Sequence, residues 1–317
     1  MSATAEAEGR WSALFRDERR FLFALCYRMT GCAADADDLV QQTFARALAS
    51  PPPRLDEPLR PWLVRVAMNL ARDHLRRRKH EAYVGPWLPS PIETDQEEAA
   101  SYEPTAFGVS TEGRYDLMES VSYAFLLALE ALTPQQRAVL LLRDVFDYSV
   151  REVADALAMS EPNVKTTHHR ARKAMAQYEG ARTIPTEELS RKTRAALEAF
   201  LGGLVQQDVA AVEKLLVSGV RSLNDGGGEY LAARVPVHGA AKVALMYVKL
   251  GRRTEPVVQA EIKMLNGLPA LVIAFASAQD GLARRFVLRC DVEAEGRIVE
   301  LHTVLATHKL THVRFVT

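Results

Sequence analysis

Cysteine is scarce in this chain of 317 residues, with only Cys26, Cys32 and Cys290 and no paired spacing among them. An odd, unpaired set excludes a disulfide framework and the common zinc modules. Long apolar runs are missing as well, and none approaches the roughly 18 residues that suggest a membrane span. The first nine residues are small and acidic, unlike a secretory leader, so the expectation is a reduced, cytoplasmic protein. Net charge is absent too, with 40 basic side chains balancing 40 acidic ones. On its own that balance argues against a nucleic-acid partner. What is present is a 48% hydrophobic composition, which excludes wholesale disorder, and a length that suits two or three domains.

The charge average conceals a pattern. Residues 1–80 carry 14 Lys or Arg against 10 Asp or Glu, while residues 81–124 carry one Arg against nine acids. The basic side chains of the first segment gather at its end, in Arg72, Arg76, Arg77, Arg78 and Lys79. A basic helix end followed by an acidic tether is an organised polarity.

Helical spacing governs the first part of the chain. Phe15, Leu22, Leu25 and Cys26, then Leu39, Val40, Phe44, Ala47 and Leu48, recur every three or four residues. Pro51-Pro52-Pro53 ends the second helix, and a third opens near Pro61. Residues 81–124 lose this periodicity and read as a linker, although Tyr83-Val84-Gly85-Pro86-Trp87-Leu88-Pro89 is apolar enough to dock on something. Thr133-Pro134 and Ser149 then supply helix starts. Ser149 to Arg172 has the dimensions of a helix-turn-helix, with Val164, His168, Ala171 and Met175 facing inward. Asn163, Lys165, Thr166, His169, Arg170, Arg172 and Lys173 fall on the outer face, and Ser160 stands at the N-cap, where free amides can hold a phosphate. Pattern alone fits a helical hairpin with a solvated basic face equally well.

After Pro185 two helices precede four strand-like runs, Val257 to Leu265, Ala270 to Ala276, Arg285 to Glu293 and Ile298 to Ala306. Asn266-Gly267 is a hairpin signal between the first two. Helices followed by antiparallel strands predict an α+β domain.

Three strings together resemble the extracytoplasmic-function sigma factors, promoter-recognition subunits of bacterial RNA polymerase. They are Asp35-Ala36-Asp37-Asp38-Leu39-Val40-Gln41-Gln42-Thr43-Phe44, the run from Arg60-Pro61-Trp62-Leu63 to Arg76-Arg77-Arg78, and Leu132-Thr133-Pro134-Gln135-Gln136-Arg137 before the helix-turn-helix. The resemblance implies a multidomain fold of two all-α sigma domains, the second with the helix-turn-helix. Residues 1–80 would be sigma region 2, 81–124 an acidic linker and 125–182 sigma region 4. It also implies that Asp35, Asp37, Asp38 and Gln41 bind the polymerase β′ subunit, with β as a further partner. Asn69 would receive a base flipped from the −10 element beside the Leu55 to Pro61 loop, while Arg65, Arg72, Arg76, Arg77 and Lys79 neutralise phosphates. Trp62 is assigned to the core, since it lies in the apolar stripe. Ser160, Asn163, Lys165, Thr166, His169, Arg170 and Arg172 would meet the −35 element. The acidic linker either mimics RNA in a polymerase channel or keeps a tether soluble. Departures occur at Thr167 and His168, where the family often has Arg and Leu, so the −35 preference does not carry over.

Residues 183–317 resemble a SnoaL-like domain, a cone-shaped α+β barrel of the nuclear-transport-factor-2-like group. Asn224-Asp225-Gly226-Gly227-Gly228, Val235-Pro236-Val237-His238-Gly239 and the linker string Trp87-Leu88-Pro89-Ser90-Pro91 match the version fused to one sigma-factor group, and Lys309-Leu310 stands near its usual C-terminal motif. Trp87, Leu88, Pro89, Asp225, Gly226, Gly227, Gly228, Lys309 and Leu310 are expected at a regulatory interface. That group generally lacks a dedicated anti-sigma factor. No catalytic residue, cofactor or metal is expected: Asp225, His238, Asp291 and His302 as an acid/base set, or His302, His308 and His312 as a metal site, have low priors. The rival reading is a ligand-sensing or enzymatic C-terminal domain fused to a polymerase-independent DNA-binding regulator.

Overall fold

The computed structural model describes residues 3–51, 58–80, 83–94, 115, 117–180, 184–252 and 255–316. The side chains of Lys79 and His80, and residues 55–57 of the expected base-capturing loop, lie outside the described residues. The chain divides into two units, Met1–Ala82 with Gln96–Thr183, and Tyr83–Asp95 with Ile184–Thr317.

In the first unit, helices α1 (Ala3–Thr30), α2 (Ala33–Ala49) and α3 (Arg60–His80) pack around Leu22, Leu25, Leu39, Val40, Leu63 and Met68, all buried. Leu48, assigned to the same apolar face, is 58% exposed because α2 ends one residue later, beyond the reach of the core. Two short helices, α4 (Leu117–Ser120) and α5 (Tyr123–Ala128), lead to α6 (Pro134–Leu140), which widens into a π turn over Leu141–Val145. Helix α7 (Val150–Leu157) ends at Ala158 in the left-handed conformation, and α8 (Glu161–Ala174) and α9 (Ala176–Gly180) follow. Thr133 and Ser149 each form a full capping box, with Gln136 and Glu152 returning the bond. Those reciprocal bonds fix where α6 and α7 begin.

In the second unit, α10 (Glu187–Val205) and α11 (Val209–Lys214) precede strands β1 (Leu216–Asp225) and β2 (Val237–His238). Helix α12 (Ala240–Gly251) then leads into β3 (Val257–Leu265), β4 (Leu268–Phe275), β5 (Arg285–Val292) and β6 (Ile298–Val304). The sheet runs β2-β1-β6-β5-β4-β3, with β1 parallel to β6 and every other pair antiparallel. Its concave face packs on α10 and α12 through Leu197, Phe200, Val243, Tyr247, Leu271 and Leu288, giving an α+β cone. The hairpin turn falls at Asn266-Gly267, both at positive φ. Strand β1 and helix α12 were not expected. The β1 sequence carries Gly219, two serines, Asn224 and Asp225, poor strand formers held in the sheet by β6 on one side.

Candidate nucleic-acid and partner interfaces

Helix α8 presents Asn163, Lys165, Thr166, His169, Arg170 and Lys173 to solvent, while Val164, Ala171 and Met175 are buried beneath it. Ser160 occupies the N-cap with its hydroxyl unused in capping. Arg172 departs from the outward placement expected of it. Its guanidinium reaches Asp144 through two bonds of 3.1 and 2.7 Å. Inward-facing His168 places Nε2 2.9 Å from both Asp144 carboxylate oxygens. Burial alone would raise the Asp144 carboxyl, but the bonds and charges of His168 and Arg172 outweigh it and hold the pKa below the ordinary value. Arg172 therefore anchors α8 to the turn after α6. Asp144 was missed in the sequence because its partners lie 24 and 28 residues on.

On α3, Asn69, Arg76 and Arg77 are exposed. Arg65 and Arg72 instead donate to the end of α7, Arg65 to the Asp155 carbonyl at 2.6 Å and Arg72 to that of Leu157 at 3.4 Å. Trp62, expected in the core, is instead half-buried on the wall of a crevice it shares with Pro58, Arg60, Arg65, Tyr148 and Asp155. The α3 and α7 surfaces thus face each other within the first unit. Further bonds tie other elements of the first unit together: Arg28 Nε to Ser120 Oγ at 2.7 Å, Arg137 to the Met29 carbonyl at 2.8 Å, and Arg78 to Glu130 at 2.8 Å. Arg28 and Arg137 are buried, so these links are shielded from water.

The four expected polymerase contacts on α2 are not equivalent. Asp38 and Gln41 are exposed. Asp35 sits 3.1 Å from His74 of α3, and Asp37 3.4 Å from Arg19 of α1. Burial would raise the Asp35 carboxyl, yet its bond to His74, with that ring's charge, Cys32 and Arg78, lowers it overall.

In the second unit, residues 83–94 lie as a strap along the cone. Asp225, fully buried, accepts from Tyr83 Oη at 2.5 Å, the Leu88 amide at 2.8 Å, the Gly227 amide at 3.1 Å and Lys309 Nζ at 2.6 Å. Lys309, 1% exposed, also donates to the Leu88 carbonyl at 2.6 Å and lies 4.8 Å from the Tyr83 ring centre and 4.4 Å from that of Trp87. Leu88, Pro89 and Leu310 are buried, while Trp87 is partly covered. Gly227 has φ +59°, and a Cβ there would come within 2.9 Å of Ala306. Gly228 closes on Val84 of the strap, and Gly226 on the Tyr230 carbonyl. A second clasp holds the far end. Glu93 accepts from the Arg314 amide at 2.6 Å, Arg314 Nε at 2.9 Å and Lys263 at 3.1 Å, and Asn266 Oδ1 accepts from the Ile92 amide at 3.1 Å. Burial would raise the Glu93 carboxyl, but Arg314 and Lys263 lower it overall. An acid inside an otherwise apolar string was the signal for this clasp.

The polar residues weighed as an acid/base set scatter. Asp225 belongs to the strap, and His238 is exposed on β2. Asp291, Glu300 and His302 do converge, and among the described residues theirs is the one group with metal-ligand spacing. Arg289 lies 2.9 Å from His302 Nδ1 and 2.5 Å from Asp291, and Arg221 lies 2.8 Å from Glu300. Two guanidinium cations there already neutralise the carboxylates. The histidines at 302, 308 and 312 form no common site among the described residues.

Family models for Sigma-70 region 2 and Sigma-70 region 4 match residues 14–81 and 122–175. The ECF RNA polymerase sigma factor SigJ of Mycobacterium tuberculosis is 32% identical over 76% of this chain and 73% of its own length. The chain belongs to the ECF RNA polymerase sigma factors. A second relative of the sigma factor is the probable ECF sigma factor SigI of the same organism, 28% identical over 96% of both chains. The crystal structure of SigJ superposes with a TM-score of 0.67 at 26% identity, covering 95% of this sigma factor and 98% of SigJ. That coverage includes the C-terminal cone, so the α+β domain is part of the shared architecture. Among the described residues no helix is long and apolar enough to cross a membrane. Sigma factors such as these relatives are not enzymes as a class.

Proposed function

We propose that this sigma factor binds core RNA polymerase through the exposed side of α2 and recognises −10 and −35 elements with α3 and α8, so that transcription initiates at chosen promoters. Asp38 and Gln41 would meet basic groups of β′, with Asp35 and Asp37 shaping the surface beside them. Asn69 is exposed and would take a flipped base, and the exposed Arg77 and Arg76, the latter paired at 3.1 Å with Asp73, would meet phosphates. The outer face of α8 supplies donors for base edges and cations for the backbone. Arg65 and Arg72 are engaged with α7, so reading a promoter requires α3 and α7 to part. The protein would work in the cytoplasm, without a dedicated anti-sigma factor.

The observation that carries the regulatory half is the clasp of Asp225 and Lys309 on Tyr83 and Leu88. The strap is the chain segment between regions 2 and 4, so holding it shortens the free tether and restrains their separation. A tethered partner needs little intrinsic affinity, because its effective concentration is on the order of millimolar.

Run-off transcription tests both halves, comparing core polymerase alone, with the full chain, and with Trp87→Ala. Transcripts should appear only with added sigma factor, and Trp87→Ala should change their yield far more than it changes stability. Silence with the full chain across a broad promoter library would remove the sigma mechanism. Equal losses of yield and stability in the variant would remove the role of the strap.

A further inference from the structure

The cone encloses a cavity of about 560 Å³ whose walls come from α10, α12 and the concave face of the sheet, all within the second unit. That volume is in the range of small-molecule sites. Leu204, Met246, Ile273, Phe286 and Leu288 are among its lining residues, and no Asp, Glu, Lys, Arg or His is. A charged ligand would enter unpaired, at a cost that rules it out. Three polar side chains nevertheless line it: Asn224, Tyr247 and Thr303. Tyr247 Oη is committed to Thr303 at 2.7 Å and Ser222 at 3.0 Å. Asn224 is different. It is 93% buried by its 7% exposure and spends one amide N–H on Ser222 at 3.2 Å. Its side-chain oxygen and second N–H make no hydrogen bond among the described residues. An amide left half-satisfied in an apolar chamber is a recognition point for one polar group.

The mouth is apolar as well. Val205, Leu231 and Val257 line the cavity, yet are 75, 71 and 56% exposed. Side chains of this kind left in water at a cavity entrance gain most when an apolar body covers them.

The cavity also shares a strand with the strap. Successive residues of β1 point to opposite faces. Asn224 turns into the cavity, and Asp225 turns to Tyr83, Leu88 and Lys309. The loop after β1 does the same on a larger scale, since Leu231, Ala232 and Ala233 line the cavity and Gly228 abuts Val84.

We propose that this cavity binds an uncharged, mainly hydrocarbon small molecule bearing one hydroxyl or carbonyl group at Asn224, and that occupancy alters the clasp on residues 83–94. The second clause rests on the regulatory role proposed for the strap; the first does not. A ligand that displaces Asn224 or the 226–233 loop must shift the Asp225 backbone, and with it the acceptor that four donors share.

The test uses the full chain and three probes of one length, 1-decanol, decanoate and decyltrimethylammonium, each below its micellar concentration. Methyl-resolved NMR titration should give saturable shifts at Leu204, Met246 and Leu288 with 1-decanol, and at least ten-fold weaker binding of both ions. Ala260→Trp, at the exposed rim of the cavity, should abolish decanol binding while leaving the denaturation midpoint unchanged. Asn224→Leu should weaken it about ten-fold. Equal binding of the three probes, no saturation with decanol, or binding insensitive to both variants overturns the site. Amide exchange at Leu88 reports the coupling: it should change on saturation with 1-decanol. Binding that leaves Leu88 exchange untouched overturns the coupling and keeps the site. Neither readout involves polymerase, so a failure here is distinct from failure of the run-off experiment.

Discussion

Buried carboxylates set the terms at the scale of single residues. Asp225 and Lys309 are both removed from water, so deleting one partner strands the other charge. Lys309→Met should cost the second unit on the order of 3–5 kcal/mol, and Asp225→Leu with Lys309→Met together should cost less than the sum of the two single changes, since neither charge is then left unpaired. Urea unfolding of the full chain measures both. Asp144 makes a pH argument. Its folded pKa is depressed, so it binds fewer protons folded than unfolded in the acidic range. Its stabilisation is therefore complete above the unfolded carboxyl value near 4 and disappears as pH falls through the folded value. Protection of the α8 amides, corrected for intrinsic exchange, should fall below about pH 4, and Asp144→Asn should show lowered protection already at pH 7. Exchange in the variant matching the parent would show that the carboxylate charge does not hold α8. Such pairs were illegible in the sequence because their members are far apart along the chain. Arg172 looked like any other cation on a basic helix, and only folding reveals the acid beneath it.

Elements were legible where local chemistry decides them. Thr133, Ser149 and the Asn266-Gly267 turn each mark a boundary through a hydrogen bond or a backbone angle that the residue itself determines. Strand β1 lacks any such mark, because its partner β6 begins more than seventy residues later in the chain, at Ile298. The strap shows both cases at once. Its apolar string announced that it docks, yet nothing local could say that the hairpin turn at Asn266 doubles as an acceptor for Ile92. Helix α8 carries the prediction at this scale. Lys165→Ala and Arg170→Ala should each lower the salt dependence of holoenzyme binding to promoter DNA by about one unit of log–log slope. Filter binding from 50 to 200 mM salt suffices. A slope unchanged in both variants would place the −35 contact on another surface.

Across the first unit as a whole, the helices proposed to meet the promoter are also a packing surface. Arg65 and Arg72 cap the carbonyl end of α7, and the buried Arg28 links α1 to Ser120. On the proposed function, opening this body would precede promoter reading, with a free-energy cost that its hydrogen bonds help set. Ser120→Ala removes one acceptor from a buried guanidinium, worth about 1 kcal/mol or more. Holoenzyme assembly followed by stopped-flow fluorescence should quicken roughly five-fold in this variant. An unchanged rate would mean that the α1–Ser120 link is not broken on the way to polymerase. The packing of α3 on α7 was not readable in the sequence, since the same cations suit DNA and carbonyl oxygens equally.

Leu88 and the lysine that clasps it are separated by 221 residues of chain. A ribosome adding roughly 5–20 residues per second takes about ten to forty-five seconds to cover that distance. During that interval the strap has left the exit tunnel and Lys309 does not yet exist. Every newly made molecule thus passes through a clasp-free youth, in which the restraint proposed for the strap would not yet have been synthesised.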